Sequence, residues 1–136
     1  MTMVTVLSPK CPKESPWGAV DNPPTELLPG MFSVSTPGHG GIWLAPDLAK
    51  VAEAVMGSIM PDWRPFTRSW SWLEEDCDWV VAALTFPGGF RPDAVAYAMR
   101  AVSQSGYLSA DPELLAAFWL APAGLAVIAR ANDLVV

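Results

Sequence analysis

A single histidine, His39, lies in a glycine-rich run and is the only side chain in this chain whose ordinary pKa falls near neutrality. The run reads Thr36-Pro37-Gly38-His39-Gly40-Gly41. A general base that works at neutral pH needs such an imidazole, held in one tautomer by a carboxylate. Glu74 and Glu75 are the carboxylates that we consider for this role. The alternative is structural: His39 donates to a backbone carbonyl in a tight turn whose glycines take positive φ angles.

The second run of chemistry-bearing residues is an acidic segment, residues 74–78. Its carboxylates are Glu74, Glu75, Asp76 and Asp78. Carboxylate oxygens are ligands for Mg²⁺, but such a run more often forms the solvated start of a helix, where acidic residues interact favourably with the helix dipole. A third use is contact with arginines of a partner, which pair with carboxylates in a bidentate geometry. We predict a helix over residues 74–86 and no metal site, although Val80-Val81 and Leu84-Thr85-Phe86 would equally suit a buried strand.

The third group is aromatic, because the chain has seven tryptophans. Tryptophan and arginine dominate the hot spots of protein interfaces. The stretch 61–72 carries three of these rings together with Arg64 and Arg68, and we predict an ordered loop that packs rings onto the core and contacts a partner. The three rings predicted at the interface are Trp63, Trp70 and Trp72. The three predicted in the core are Trp17, Trp43 and Trp79.

The composition indicates a folded, acidic domain that does not bind nucleic acid directly. Hydrophobic residues make up 51% of the chain and charged residues 16%, far from the balance that keeps chains disordered. The net charge is −6 and the basic residues are scattered singly, whereas phosphate binding takes clustered cations. An acidic surface suits a protein partner with a basic surface. Six net negative charges are few for an imitation of DNA.

Signals for membrane insertion, secretion or zinc binding are lacking. One long uncharged and apolar stretch, residues 114–129, is interrupted by Pro122 and Gly124 and is shorter than the roughly 20 residues of a membrane-spanning helix. No signal peptide is recognisable. Cys11 and Cys77 lie far apart and, with one histidine, make no standard zinc site. We therefore expect a cytoplasmic protein with two free thiols, no cofactor and no membrane contact.

The overall pattern predicts an α+β fold with a small antiparallel sheet packed against three or four helices. We expect one domain over residues 1–136. Its first part, residues 1–30, is rich in proline, so it is predicted to be an extended arm held by Trp17. Residues 31–136 form the predicted globular body.

Local signals predict the elements of the arm and the body. A β-hairpin is predicted from 31–35 and 42–44, joined by the glycine-rich run. Pro46 begins a predicted helix that ends at Gly57, with Leu48, Val51, Ala52 and Val55 on its apolar face. The remaining predicted elements are a strand at 3–7, a helix from 92 to Gly106 lined by Val95, Met99 and Val102, a helix from 111 to before 122, and a strand at 125–128.

Two motifs resemble those of an uncharacterised domain family carried by plasmids and integrative elements of proteobacteria. They are Ser35-Thr36-Pro37-Gly38-His39-Gly40-Gly41-Ile42-Trp43-Leu44 and Leu73-Glu74-Glu75-Asp76-Cys77-Asp78-Trp79. The opening Ser15-Pro16-Trp17-Gly18 is similar to the start of that family's domain, so the resemblance covers residues 15–90. It implies no known reaction. It implies a setting among proteins of mobile elements, which often act against host defences.

These observations lead to two hypotheses of different classes. The first is a non-enzymatic inhibitor or adaptor that binds a host nucleic-acid-handling complex, such as a CRISPR effector. The second is a small enzyme built on His39 with Glu74 or Glu75. The binding residues of the first hypothesis are His39, Trp63, Trp70, Trp72, Glu74, Glu75, Asp76 and Asp78.

Overall fold

The computed structural model describes residues 10–104 and 108–133. In these residues the chain forms a two-stranded and a four-stranded antiparallel sheet and five α-helices. The predicted α+β class is therefore confirmed, with five helices in this part of the chain where three or four were expected. The predicted strand at 3–7 and the predicted helix end at Gly106 lie outside the described residues.

The four-stranded sheet is a meander whose strands lie side by side in chain order. Its strands are β3 (Thr25–Leu28), β4 (Met31–Ser35), β5 (Gly40–Leu44) and β6 (Trp72–Glu74). The predicted hairpin of β4 and β5 is confirmed. Gly40 and Gly41 belong to β5, however, so the connection is only residues 36–39.

The five helices of the described residues share one apolar core with this sheet. They are α1 (Pro46–Ile59), α2 (Trp79–Thr85), α3 (Pro92–Gln104), α4 (Pro112–Leu120) and α5 (Pro122–Asn132), with a 3₁₀ turn at Pro87–Gly89. Four of them begin with proline, whose fixed φ and missing N–H suit a first helical turn. Asp111 caps α4 by accepting hydrogen bonds from the amides of Glu113 and Leu114.

Side-chain alternation gives the four-stranded sheet an inner and an outer face. The inner face carries Met31, Ile42, Leu44 and Leu73, which join the large core formed with the helices. The outer face carries a smaller apolar cluster, which the N-terminal arm covers. Its members on the sheet are Phe32, Val34, Trp43 and Trp72, and those from the arm are Cys11, Trp17 and Val20.

The arm, residues 10–30 in the described part, has no helix, in agreement with its prolines. Two-residue strands, β1 (Glu14–Ser15) and β2 (Gly18–Ala19), form a small hairpin, in which Gly18 has a φ of +118°. Between them, Trp17 meets the Trp72 ring edge-on, with ring centroids 5.8 Å apart. Trp17 thus packs on the outer face, as expected, whereas residues 25–28 of the predicted arm form β3 and belong to the four-stranded sheet.

Two predicted elements are wrong. A helix was predicted over residues 74–86. In the structure, residues 72–74 form β6, and the helix begins only at Trp79. Pairing of Glu74 with Gly41 on β5 decides this, because sheet pairing overrides the favourable effect of acidic residues at a helix start. The predicted strand at 125–128 lies inside α5, whose Val127 and Ala131 point into the core one turn apart.

Smaller differences concern the ends and faces of helices. α1 continues through Gly57 to Ile59, and its buried residues are Ala49, Ala52, Met56 and Ile59, so its apolar face is rotated from the predicted one. In α3 the predicted Val95 and Val102 are buried, whereas Met99 is half-buried.

No single helix in the described ranges is long and apolar enough to cross a membrane. α4 and α5 together have the length and composition of a span, but they are bent by 75° at the break between them.

Candidate functional site

Pairing of β5 with β6 brings the glycine-rich run and the acidic segment together. Gly41 lies directly opposite Glu74 in the antiparallel ladder. One residue further, the Glu75 amide donates to the Gly40 carbonyl at 3.0 Å. The backbones of the two motifs are therefore neighbours, although the sequence separates them by a helix and a loop.

His39 ends the connection between β4 and β5, where its backbone is fixed by Thr36. The amide of His39 donates to the Thr36 hydroxyl at 3.1 Å, and its carbonyl accepts from that hydroxyl at 2.8 Å and from the Thr36 amide at 2.7 Å. The imidazole is exposed. In residues 10–104 and 108–133 it neither hydrogen bonds to a carboxylate nor lies within ion-pair distance of one.

The two glycines that follow His39 are required because neighbouring atoms lie very close to their backbone, and not because the backbone has an unusual conformation. A Cβ atom at Gly40 would lie 2.6 Å from Oε2 of Glu75. A Cβ atom at Gly41 would collide with the Leu73 carbonyl oxygen and lie 2.7 Å from the Trp17 ring. The glycines with positive φ in the described residues are Gly18 and Gly30. The expectation of positive φ angles beside His39 is therefore corrected.

Glu74 is the buried carboxylate at the start of the acidic segment. It lies on the outer face, opposite Gly41, with 9% of its surface exposed. Its Oε2 accepts a hydrogen bond from the Asp76 amide at 3.0 Å. Burial raises the pKa of Glu74, the negative charge of Asp76 adds to this effect, and the amides of Asp76 and Cys77 partly oppose it.

Asp78 is fully buried at the other end of the acidic segment. Its Oδ2 accepts a hydrogen bond from the Phe66 amide at 2.7 Å, which ties the loop before β6 to the start of α2. The carboxylate therefore has an internal structural role. This corrects its predicted place on a solvated or partner-facing surface.

Glu75 and Asp76, between these two buried carboxylates, are exposed. Within the described ranges neither side chain forms an ion pair. The ion pairs there join Arg91 to Asp93 at 3.3 Å and Arg130 to Asp133 at 3.4 Å. The two central carboxylates of the acidic segment are therefore the ones that can meet a cation from outside the domain.

A cavity adjoins each of these exposed carboxylates. The smaller, of about 220 Å³, has Glu75 on its wall and lies between the sheet and the start of α2. We call it the aromatic cleft, and its walls are formed by Ser33, Val34, Gly41, Ile42, Glu75, Trp79 and Phe90. The larger, of about 380 Å³, lies between α2 and α3. We call it the polar groove, and it is lined by Asp76, Cys77, Val80, Tyr97, Arg100, Ala101, Gln104 and Leu108.

Cys77 is exposed and free in the polar groove. Partial burial raises the pKa of its thiol, and the carboxylates of Glu74, Asp78 and Asp76 raise it further. Since the thiolate is the nucleophilic form, this environment makes Cys77 a poor nucleophile at neutral pH. Cys11, in the arm, is also free, and burial raises the pKa of its thiol as well.

The tryptophans divide differently from the prediction. Trp63 and Trp70 are 5% and 9% exposed, and their rings meet edge-on with centroids 5.4 Å apart. The loop therefore packs rings onto the core as predicted, but these two rings are core residues and not the exposed interface residues we expected. Trp72 is half-buried beneath Trp17.

Of the three rings predicted in the core, two are more exposed than expected. Trp43 is buried, whereas Trp17 and Trp79 are half-buried. Trp79 lines the aromatic cleft. The sequence analysis did not identify Trp79 or Phe90 as site residues. The position of Trp79, directly after the acidic segment, could have indicated its role.

No group of three or more histidine, cysteine, aspartate or glutamate side chains could hold a metal ion in the part of the chain that the structure describes. The four carboxylates of the acidic segment explain this result, because two of them are buried with separate hydrogen-bonding partners. The two exposed carboxylates, Glu75 and Asp76, form what we call the acidic ridge, with a cavity beside each of them.

Residues 10–109 match the model of a family described as a domain of unknown function, DUF7007, and the chain belongs to this family. An uncharacterised family was predicted, and its match extends beyond residue 90 to include α3, leaving α4 and α5 outside. Neither a curated protein nor a solved structure matches the chain.

Proposed function

We propose that this DUF7007 domain is a non-enzymatic protein-binding module whose binding surface is the exposed part of the acidic segment and the two cavities beside it. The observation that carries the proposal is the position of Glu75 and Asp76. Both are exposed, both lack a cationic partner among the described residues, and each lines a cavity. A basic partner can therefore neutralise charge and fill an adjoining cavity in the same contact.

Charge supports a basic protein surface as the partner. The net charge of −6 attracts such a surface at long range and disfavours acidic ones. Arginines that reach Glu75 or Asp76 need not break an ion pair, because the ion pairs of the described residues join Arg91 to Asp93 and Arg130 to Asp133. Arg100 lines the same groove as Asp76, but among the described residues the two form no ion pair. Nucleic acid, being acidic, is not the direct ligand of this surface.

The specific form of the proposal is an inhibitor or adaptor from a mobile genetic element. In this form the domain acts in the host cytoplasm and blocks a nucleic-acid-handling defence complex, such as a CRISPR effector, by covering a basic protein surface. The resemblance of the two motifs to proteins of plasmids and integrative elements supports this setting, together with the small size and acidity of the chain. Such a complex exposes basic surfaces for its nucleic acid, which an acidic ridge matches in charge.

An enzyme built on His39 is less well supported than binding. The imidazole is exposed, and no carboxylate in the described ranges holds it in one tautomer. Glu74 is buried on the outer face, where it accepts a hydrogen bond from the Asp76 amide. General-base catalysis needs the base to be oriented within hydrogen-bonding reach of its partner.

Affinity capture from a lysate of the natural host tests the proposal. We expect the tagged domain to retain one stoichiometric partner, and the Glu75→Gln/Asp76→Asn variant to lose most of it, because removing charge from a contact with arginine weakens it by about 1 to 3 kcal/mol. The matched control is Glu53→Gln/Asp62→Asn, which removes two other exposed carboxylates. Equal loss in both variants would show a general effect of charge and contradict a specific site.

A further inference from the structure

We infer that the aromatic cleft binds the guanidinium group of a single arginine side chain supplied by the partner. This inference rests on the proposed function for the existence of a partner protein, and it names the group that the site receives. Its basis is a cavity that combines two aromatic rings with one carboxylate. Trp79 and Phe90 supply the rings and Glu75 supplies the carboxylate.

The size of the cleft fits one side chain better than a larger ligand. Its volume of about 220 Å³ is below the roughly 300 to 1,000 Å³ of pockets that hold drug-sized molecules. Ser33 and Ile42, from β4 and β5, also line it. The cleft can therefore take the end of one long side chain, while the rest of the partner lies over the acidic ridge.

The two rings are held in place before any ligand arrives. The centroid of Trp79 lies 6.0 Å from that of Phe90. Trp79 also stacks on Tyr97, with centroids 5.9 Å apart and planes 19° from parallel. A cation is attracted to aromatic rings, most strongly to tryptophan. Because neighbouring rings hold Trp79 in place, little conformational entropy is lost when a cation binds in the cleft.

Glu75, the carboxylate of the cleft, forms no ion pair with a basic side chain among the described residues. Gly40 leaves space beside Glu75, since a Cβ atom there would lie 2.6 Å from its Oε2. The nearby cation Arg130 is already engaged, because it donates to the Phe90 carbonyl at 2.8 and 3.1 Å and pairs with Asp133. Arg91 pairs with Asp93. No basic side chain lines the cleft.

Arginine fits these surroundings better than lysine. Its planar guanidinium can stack on an aromatic ring and donate two hydrogen bonds to a carboxylate at once, and it is more weakly hydrated than an ammonium group. Lysine would bring a compact, strongly hydrated charge to a cleft whose walls include two aromatic rings. A guanidinium group is therefore the ligand that best fits Trp79, Phe90 and Glu75.

Nuclear magnetic resonance titration of the full chain with a small probe tests this assignment. The probe is the blocked peptide acetyl-Gly-Arg-Gly-amide, compared with the same peptide carrying citrulline or lysine. At low ionic strength we expect saturable chemical-shift changes at the Trp79 indole N–H and the Glu75 amide with the arginine peptide. The citrulline peptide, which is neutral, should bind at least about fivefold more weakly.

Three variants locate the site. Glu75→Gln should weaken the arginine peptide at least about fivefold, and Phe90→Leu, which keeps an apolar wall without the ring, should weaken it about two- to fivefold. Glu53→Gln, an exposed carboxylate on α1, should leave it unchanged. Unchanged amide shifts in α1 would show that the Phe90→Leu variant is folded.

The assignment is overturned if citrulline binds as well as arginine, if Glu75→Gln binds normally, or if shifts appear at scattered carboxylates without saturation. Equal binding of the lysine peptide would overturn the choice of guanidinium. If the cleft fails these tests while host capture still depends on Glu75 and Asp76, only this inference is wrong. If the peptide binds in the cleft but no host protein is captured, the proposed function is wrong.

Discussion

The inner and outer faces of the four-stranded sheet are covered in different ways. The inner face packs against the helices in one large core, where Leu44 and Leu73 are fully buried. In the described residues, the outer face is covered by the arm, whose Trp17 ring is set edge-on against the half-buried Trp72. The inner face therefore holds the fold together. The outer face depends on the fit of a few rings and glycines.

The same alternation separates two neighbouring glutamates. Glu74 follows Trp72 on the outer face and is buried there, with a raised pKa. Glu75 lies toward the inner side, beside Gly40, and lines the open aromatic cleft. Identical side chains at consecutive positions thus have different roles, because a strand turns successive residues to opposite faces.

The largest effect is expected on the inner face. Leu73→Ala should lower the free energy of unfolding by about 3 kcal/mol, because it removes fully buried methyl groups and leaves a cavity in the core. Urea denaturation of the variant and the wild type measures the difference. A loss of less than about 1 kcal/mol would mean that the inner face does not dominate stability.

Gly41→Ala is expected to cost about 2 kcal/mol, because the added methyl group meets the Leu73 carbonyl and the Trp17 ring. Gly38→Ala is the matched control, since no atom lies within 4 Å of a Cβ atom placed there. The same denaturation measurement applies to both. Equal stability of the two variants would show that close packing of the arm on β5 is not required.

Trp17→Leu should cost about 1 kcal/mol, because it removes the edge-on contact with Trp72 and part of the cover of the outer face. Acrylamide should then quench the remaining tryptophans more strongly, since Trp72 becomes more accessible. Hydrogen exchange of α2 amides should stay as slow as in the wild type. Faster exchange throughout α2 would show that the arm stabilises the whole fold and would remove the contrast between the faces.

Local signals in the sequence predict much of this fold. Alternating residues predict the hairpin of β4 and β5, and Pro46, Pro92 and Pro112 begin predicted helices that are confirmed. Each of these signals acts within a few residues, so no tertiary information is needed. Pro122 carried the same signal for α5, but the β-branched residues Val127 and Ile128 led to the wrong prediction of a strand.

The site was less predictable because it depends on distant pairing. β6 has only three residues and precedes carboxylates that are typical of a helix start, so nothing local identifies it as a strand. Its register against β5 sets which glutamate is buried, and no periodicity within residues 74–78 contains that information. The aromatic cleft likewise combines Ser33, Glu75 and Phe90 from separate parts of the chain.

The smallest expected effect on stability concerns Glu74, the buried carboxylate of the outer face. Burial raises the pKa of Glu74, so the folded protein binds a proton more tightly there than the unfolded chain does. Stability from this group is therefore present at low pH and is lost as the pH rises through the folded-state value. Glu74→Gln removes the charge and keeps an oxygen that can accept from the Asp76 amide.

We expect Glu74→Gln to be more stable than the wild type at pH 7 by a few tenths to about 1 kcal/mol, with a difference that shrinks as the pH falls toward 4. Urea denaturation across this range measures it, and Glu53→Gln, at an exposed position, should show no such trend. A Glu74→Gln variant that is less stable at pH 7 would mean that hydrogen bonding to the charged carboxylate outweighs its burial. The outer face would then hold Glu74 as a favourable ion, and the contrast with Glu75 would be one of exposure alone.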